Sequence, residues 1–106
     1  MKVKDLSEKF KVINMADGER EIEDVFCCDL LSIAMGKAPA GSAWVTVMAN
    51  VNTLAVASLT DVACVILAEN ARLDDMTVSK AKEQEITVFA TEEPIFKAAL
   101  SIYNNV

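Results

Sequence analysis

The sequence of 106 residues contains no histidine and only three glycines. Histidine is the side chain that most often serves as a general base or a metal ligand near neutral pH, so its absence excludes most hydrolase sites. The three glycines are too far apart for a G-x-G-x-x-G loop, and the stretch 36–43 lacks the lysine that follows the second glycine of a P-loop. The sequence therefore shows no catalytic motif, and we expect no enzyme activity and no cofactor.

Cysteine and long apolar runs are also scarce. Three cysteines are an odd number and do not form a disulfide framework, and without histidine they are too few for a structural zinc site. The longest apolar runs, such as 62–68, are far shorter than the roughly 20 residues that cross a bilayer. The first residues also lack the apolar core of a secretory signal. We expect reduced thiols, no membrane association and a cytoplasmic location.

The charge is of one predominant sign. Sixteen acidic residues against ten basic residues give a formal charge of −6, and no lysine or arginine cluster is visible. Such a surface repels nucleic acids and anionic membranes, so we expect no binding to either. Apolar residues make up 53% of the chain and charged residues 25%, which is typical of a globular protein. At this length we expect one domain over residues 1–106.

What is present is an alternation of β-rich runs and amphipathic segments. The β-rich runs are 24–28, 43–48, 62–67 and 85–89, and the amphipathic segments are 30–35, 53–60, 75–84 and the region from Thr91 onward. This alternation predicts an α/β fold: a single domain with a largely parallel sheet of about five strands and helices on both faces. The run 62–67 is almost entirely apolar, which indicates the central strand. Residues 3–10 are predicted as a short helix and 11–15 as an edge strand.

The pattern also predicts local roles. Asp29, Asn52 and Thr91 are suited to cap the helices that follow them. Trp44 and Cys64 are interpreted as core residues. Adjacent strand residues point to opposite faces, so Cys27 and Cys28 are expected to pack under one helix layer each, with redox sensing as the less favoured alternative. One apolar face of the last helix is predicted from the spacing of five residues: Ile95, Phe96, Ala99, Ile102 and Tyr103.

Polar residues follow the predicted strands and form the candidate site. The candidates are Asp29, Ser32, Asn50, Asn52, Thr53, Glu69 and Thr91. In an open α/β sheet the carboxyl ends of parallel strands lie along one edge, where ligands bind. Every one of these side chains is also explained as a cap or turn residue, and we favour that interpretation. The carboxylates at this edge, Asp29, Glu69 and Glu92, oppose an anionic ligand.

Several stretches share apolar and capping patterns with a known family. They are 25–32, 44–47, 50–52, 55–57 with Leu59 and Asp61, and 80–83 with Ile86 and Thr91. Over these residues the chain resembles the DRTGG domain, as found at the amino terminus of HPr kinase/phosphorylase and in pyrophosphatases regulated by CBS domains. The resemblance implies an α/β fold, symmetric dimers and a regulatory, non-catalytic role. It supplies no agreed ligand site, so no functional residue is transferred.

Three functions remain open at this point. The first is a regulatory module that forms a homodimer and signals to a protein partner. The second is a stand-alone sensor that binds a small ligand, such as a nucleotide or another metabolite, at the carboxyl ends of the strands. The third and weakest is an enzyme that uses Asp29, Glu69 and Thr91.

Overall fold

The computed structural model describes residues 1–106 and contains one five-stranded sheet. The strands are β1 (Lys11–Asn14), β2 (Asp24–Cys27), β3 (Ser42–Thr46), β4 (Cys64–Leu67) and β5 (Val88–Ala90). The helices are a 3-10 helix (Val3–Glu8), α1 (Leu31–Lys37), α2 (Val51–Thr60), α3 (Asp75–Glu83) and α4 (Ile95–Tyr103). The strand order is β1-β5-β4-β3-β2, with β2 to β5 parallel and β1 antiparallel to β5. The predicted fold class is confirmed.

The strand predicted to lie at the centre is β4, the third of the five strands, which confirms that prediction. Its alternating side chains enter two cores. Cys64 and Ile66 pack with the 3-10 helix and α4 on one face, whereas Val65 and Leu67 pack with α1, α2 and α3 on the other. Both faces of the sheet are therefore covered by helices, as the nearly unbroken apolar run of a central parallel strand requires.

The inner strands β3 and β4 are buried, whereas the end of the edge strand β2 is partly exposed. Trp44 on β3 is fully buried, as predicted, and its Nε1 donates to the carbonyl oxygen of Cys28 at 3.0 Å. Cys64 is also in the core, whereas the prediction that Cys27 packs under a helix is wrong. Cys27 is exposed and Cys28 is half-buried, because β2 is an edge strand whose last residues are incompletely covered.

The structure corrects two of the predicted caps at the first two helices. Helix α1 begins after Leu30 and has no side-chain cap, because the Asp29 carboxylate bonds to the neighbouring strand instead. Helix α2 begins two residues earlier than predicted, and its cap is Asn50 and not Asn52. In both cases the cap was assigned from neighbouring residues alone, whereas the hydrogen bonds of the side chain depend on the surrounding fold.

Helix α4 departs from prediction at its start and on its exposed side. Thr91 is not the cap, because Pro94 occupies that position and makes no side-chain hydrogen bond. The buried face consists of Ala98, Ala99 and Ile102 with Ile95 beside them, so the predicted face is correct only in part. Phe96 and Tyr103 lie outside it and are exposed. Apolar residues at two helical spacings made the choice of face ambiguous.

The amino ends of the parallel strands are closed by the N-terminal segment and a left-handed turn. Arg20 Nη1 and Nη2 donate to the two carboxylate oxygens of Asp61 at 2.8 and 3.0 Å, and Nη2 also donates to the Asp61 carbonyl oxygen at 2.8 Å. Asp61 ends α2 at φ 59°, and its carbonyl oxygen accepts from the backbone N–H of Gly41. Gly41 has φ 77°, a conformation that glycine adopts without strain.

Candidate functional site

The first predicted site residue, Asp29, joins two strand ends. Its Oδ1 accepts from the Thr46 hydroxyl at 2.7 Å and from the backbone N–H of Val47 at 2.9 Å. The Thr46 hydroxyl is fully buried and accepts in turn from the Met48 N–H at 3.2 Å. The carboxylate thus stabilises the end of β3, while Ser32, in the first turn of α1, is exposed.

The next three candidates form the start of α2. The Asn50 side chain accepts from the backbone N–H groups of Asn52 and Thr53 at 3.0 and 3.2 Å. Thr53 is buried, and its hydroxyl donates to the carbonyl oxygen of Met48 at 2.7 Å. Asn50 and Thr53 therefore complete the helix end, and the exposed Asn52 side chain is the one left facing solvent.

Glu69 and Thr91 lie together at the ends of β4 and β5. Glu69 and Asn70 have φ 57° and 59°, and their N–H groups donate to the carbonyl oxygens of Glu93 and Thr91 at 2.9 Å each. The Thr91 hydroxyl accepts from the Glu93 N–H at 3.2 Å. Two backbone bonds therefore tie the segment after β4 to the segment after β5.

The sheet order separates these residues into two groups. Asp29 follows β2 and Thr91 follows β5, three strand spacings away, which is about 14 Å at 4.7–4.9 Å per strand. Such a separation is too large for both groups to act on one reacting atom, since proton transfer needs hydrogen-bond distances. The predicted residues thus share an edge of the sheet but do not form one compact centre.

A cleft at the same edge contains three basic residues that the sequence analysis did not single out. It has a volume of about 380 Å³, and it lies between the start of β1, the end of β5 and the loop after β4. Its lining is Lys9, Lys11, Asn70, Arg72, Ala90, Thr91 and Glu92. Thr91 is the one predicted site residue in this lining. No local sequence signal leads to this cleft, because it depends on the antiparallel pairing of β1 with β5, which brings Lys11 to the carboxyl end of β5.

An apolar hollow of about 200 Å³ adjoins this cleft and shares Lys11, Asn70, Arg72 and Ala90 with it. The rest of its lining is Ile13, Leu67, Ala71, Leu73 and Val78. At the amino end of the sheet a smaller hollow of about 120 Å³ is lined by charged groups that include Arg20 and Asp61, which are bonded to each other. The cavities at the carboxyl end of the sheet are therefore larger, and their charged side chains are less engaged in bonds to each other.

Cys27, at the end of β2, and Cys64, in the core, do not have the environment of an activated thiol. Partial desolvation of the sulfur, together with the negative charge of Asp29, raises the pKa of the Cys27 thiol. Burial raises the pKa of Cys64 to about 12. Because the thiolate is the reactive form, these environments oppose the acidification that redox sensing by a low-pKa thiol requires.

The structure contains neither a metal-binding cluster nor a membrane-spanning helix. No group of three or more histidine, cysteine, aspartate or glutamate side chains is placed to hold a metal ion. None of the helices combines the length and the apolar character needed to cross a bilayer.

Comparison with known proteins shows a likeness in fold to a solved structure. No protein-family model and no curated protein matches the chain. The chain is similar to the crystal structure of the CBS and DRTGG domains of the regulatory region of a Clostridium perfringens pyrophosphatase, which is complexed with the activator diadenosine tetraphosphate. The TM-score is 0.69 at 15% identity, over 92% of this chain and 43% of that chain. The chain therefore has a DRTGG-like fold, and it spans less than half the length of the chain it matches.

Proposed function

We propose that this chain is a non-catalytic regulatory module that forms a homodimer through α4 and signals to a protein partner. The fold likeness to domains from a regulatory region supports the regulatory part. The three cysteines are free thiols, which agrees with a reducing, cytoplasmic setting. The observation that carries the dimer is an exposed apolar stripe on α4, defined as Phe96, Leu100 and Tyr103.

The α4 stripe lies on the side of the helix next to its buried face. Phe96, Leu100 and Tyr103 are 71%, 42% and 64% exposed, and their spacing of four and three residues places them on one side of the helix. Helix α4 is therefore apolar on two sides, whereas a surface helix normally presents polar residues to solvent. Aromatic side chains are enriched at the centres of protein interfaces, so a covered position suits this stripe.

The charge of α4 favours a second copy of this chain as the partner that covers it. The chain carries −6, yet its one charged residue within 95–103 is Lys97, and no carboxylate lies on the helix. Two copies can therefore approach through α4 with little of the repulsion that their acidic surfaces would otherwise cause. A twofold axis near Leu100 would bring Phe96 of each copy towards the Tyr103 end of the other, so that one patch serves both.

Sedimentation equilibrium of the wild type and of two variants tests this dimer. We expect a wild-type dimer and a monomer for Phe96→Glu and Tyr103→Glu, because each variant places a charge in an apolar interface. Leu59→Glu is the matched control, since Leu59 is a 70% exposed apolar residue on α2; this variant should remain dimeric. A wild-type protein that stays monomeric at high concentration contradicts the homodimer, and the α4 stripe would then be expected to contact a different protein.

A second candidate function is a sensor for a small ligand at the carboxyl ends of the strands. The observation in its favour is the cleft beside Thr91, with the adjoining hollow, at the edge where open α/β sheets bind ligands. The related pyrophosphatase structure is complexed with a nucleotide activator, so nucleotides are the first ligand class to test.

A thermal-shift screen of nucleotides and other metabolites tests the sensor. A ligand that binds the folded state raises the melting temperature by mass action. Asn52→Ala and Ser32→Ala remove exposed polar groups at the β2 and β3 ends, whereas Thr91→Ala removes one at the β5 end. If the ligand no longer raises the melting temperature of one group of variants but still raises that of the other, the site lies at the strand ends of the first group. If no ligand raises the melting temperature of the wild type, this function is contradicted.

A further inference from the structure

The geometry points to the cleft between β1, β5 and the loop after β4 as a binding site for a small phosphorylated ligand with an apolar ring, of the nucleotide class. Lys9, Lys11 and Arg72 would hold its phosphoryl groups. This inference names the ligand class for the sensor proposed above, and it does not depend on the dimer.

The charge of the cleft differs from that of the whole chain. Three of the ten basic residues line it, against one carboxylate, Glu92, so its lining is positive on a protein of charge −6. Neither Lys11 nor Arg72 takes part in any of the five ion pairs, which use Lys2, Lys4, Arg20, Lys80 and the amino terminus. Their charges are available to a ligand.

The three cations also have donors left for an anion. Lys9 Nζ donates to the carbonyl oxygen of Ser101 at 3.0 Å, which fixes its position and leaves two further N–H donors. The Arg72 guanidinium makes no hydrogen bond within the protein, and its planar fork matches two oxygens of a phosphoryl group.

Ordered backbone holds these groups on two sides of the cleft. Lys11 is paired with Ala90 in the β1–β5 ladder, so the antiparallel register places it at the carboxyl end of β5. Arg72 follows the left-handed pair Glu69 and Asn70, whose N–H groups are bonded to the chain after β5. The lysine side and the arginine side of the cleft are therefore fixed relative to each other by the sheet.

The adjoining hollow suits the apolar part of the same ligand. Ile13, Leu67 and Leu73 help to line its wall, and it opens beside Lys11 and Arg72. The cleft volume of about 380 Å³ lies within the range of small-molecule sites. A ring in the hollow with phosphoryl groups between the cations would use both parts, whereas inorganic phosphate would use the cleft alone.

Isothermal titration calorimetry with ATP, inorganic triphosphate and adenosine tests the assignment. We expect ATP to bind more tightly than triphosphate and adenosine to bind weakest, with affinity falling as salt is added. Lys11→Gln and Arg72→Gln should each weaken ATP binding by about tenfold or more, since each removes a charge-assisted bond. Glu92→Gln should strengthen it. Lys37→Gln, at the end of α1, removes the same charge from the opposite end of the sheet and should have no effect.

Two results would overturn the inference. One is the absence of saturable binding by ATP and triphosphate, and the other is ATP binding that Lys11→Gln and Arg72→Gln leave unchanged. Both side chains are exposed and make no ion pair, and circular dichroism of the variants checks that they fold. A thermal shift with unphosphorylated metabolites alone would overturn the phosphate site while leaving the sensor function intact.

Discussion

The two ends of the parallel strands are built from similar polar residues but are completed in different ways. At the amino end, Arg20 and Asp61 satisfy each other, and Gly41 bonds to the Asp61 carbonyl oxygen, so the charges are used within the fold. At the carboxyl end, Asp29, Asn50 and Thr53 also bond within the fold, but the charged groups of Lys11 and Arg72 do not.

The comparison shows that polar residues at a strand end do not by themselves indicate a site. Most of the side chains that follow the parallel strands bond to backbone N–H or C=O groups that would otherwise lack partners. The groups left over, Lys11 and Arg72, are the ones a ligand can use. Substitutions at the two ends of the parallel strands test this difference.

Asp29→Ala should have the largest effect, although Asp29 lies at the end with the open cleft. The variant removes the acceptor for the Thr46 hydroxyl and the Val47 N–H, and we expect a loss of about 2–3 kcal/mol in the free energy of unfolding. Urea denaturation measures it. Asp29→Asn keeps one acceptor oxygen and should lose less.

The matched control for Asp29 is Ser32→Ala, because Ser32 is exposed and lies on the same edge of the sheet. It should change stability by less than about 0.5 kcal/mol. Equal, small losses in Asp29→Ala and Ser32→Ala would show that the carboxylate contributes nothing to the fold, and Asp29 would return to the list of ligand-binding candidates.

Gly41→Ala tests the amino end. Gly41 has φ 77°, and an added Cβ would meet the Glu23 side chain, so we expect a loss of about 1–2 kcal/mol. Gly36→Ala is the internal comparison, because Gly36 lies in α1 and a Cβ there meets nothing. That variant should gain about 0.5–1 kcal/mol through helix propensity. Equal effects in the two variants would contradict the conformational argument.

The Arg20–Asp61 pair should have the smallest effect, since the Asp61 side chain is 69% exposed. Arg20→Gln should cost about 1 kcal/mol or less at neutral pH. The Arg20 guanidinium lowers the pKa of Asp61. The pair therefore stabilises the folded state at a pH above the unfolded-state pKa of aspartate, about 3.9. This stabilisation is lost as the pH falls below that pKa and through the lower pKa of Asp61 in the folded state.

Asp61→Asn isolates that pH dependence, because asparagine tolerates the left-handed conformation at this position. The difference in unfolding free energy between wild type and Asp61→Asn should narrow as the solution is acidified below about pH 4. A difference that stays constant with pH would assign the effect to the hydrogen bonds and not to the charge.

Much of the fold could be predicted from local patterns, and the errors lie where distant residues intervene. The unbroken apolar run 62–67 predicted the central strand, because a strand covered on both faces excludes polar side chains. The prediction of a cap at Asp29 was wrong because its carboxylate accepts a hydrogen bond from the hydroxyl of Thr46, a residue of the next strand, and none from the helix start. Helix α4 has apolar residues on two sides, so the sequence pattern did not show which side packs against the sheet.

The candidate site could be predicted only as an edge of the sheet. The rule that ligands bind at the carboxyl ends of parallel strands leads to Thr91, which lines the cleft. It does not lead to Lys9 and Lys11, because they precede every parallel strand in the chain. Their place depends on β1 pairing antiparallel with β5, and a short edge strand carries no local signal of its neighbour.

The class of this protein follows from its residues alone: it is an acidic α/β domain without histidine, with a central apolar strand between helix layers. Burial and periodicity are local properties of the residues, so these features could be read without a structure. Which polar groups bond to each other, and which remain without a partner, depends instead on the folded chain. The physical reason is strand order and register, which bring Lys11 and Arg72 to one cleft from distant parts of the chain and leave the α4 stripe uncovered.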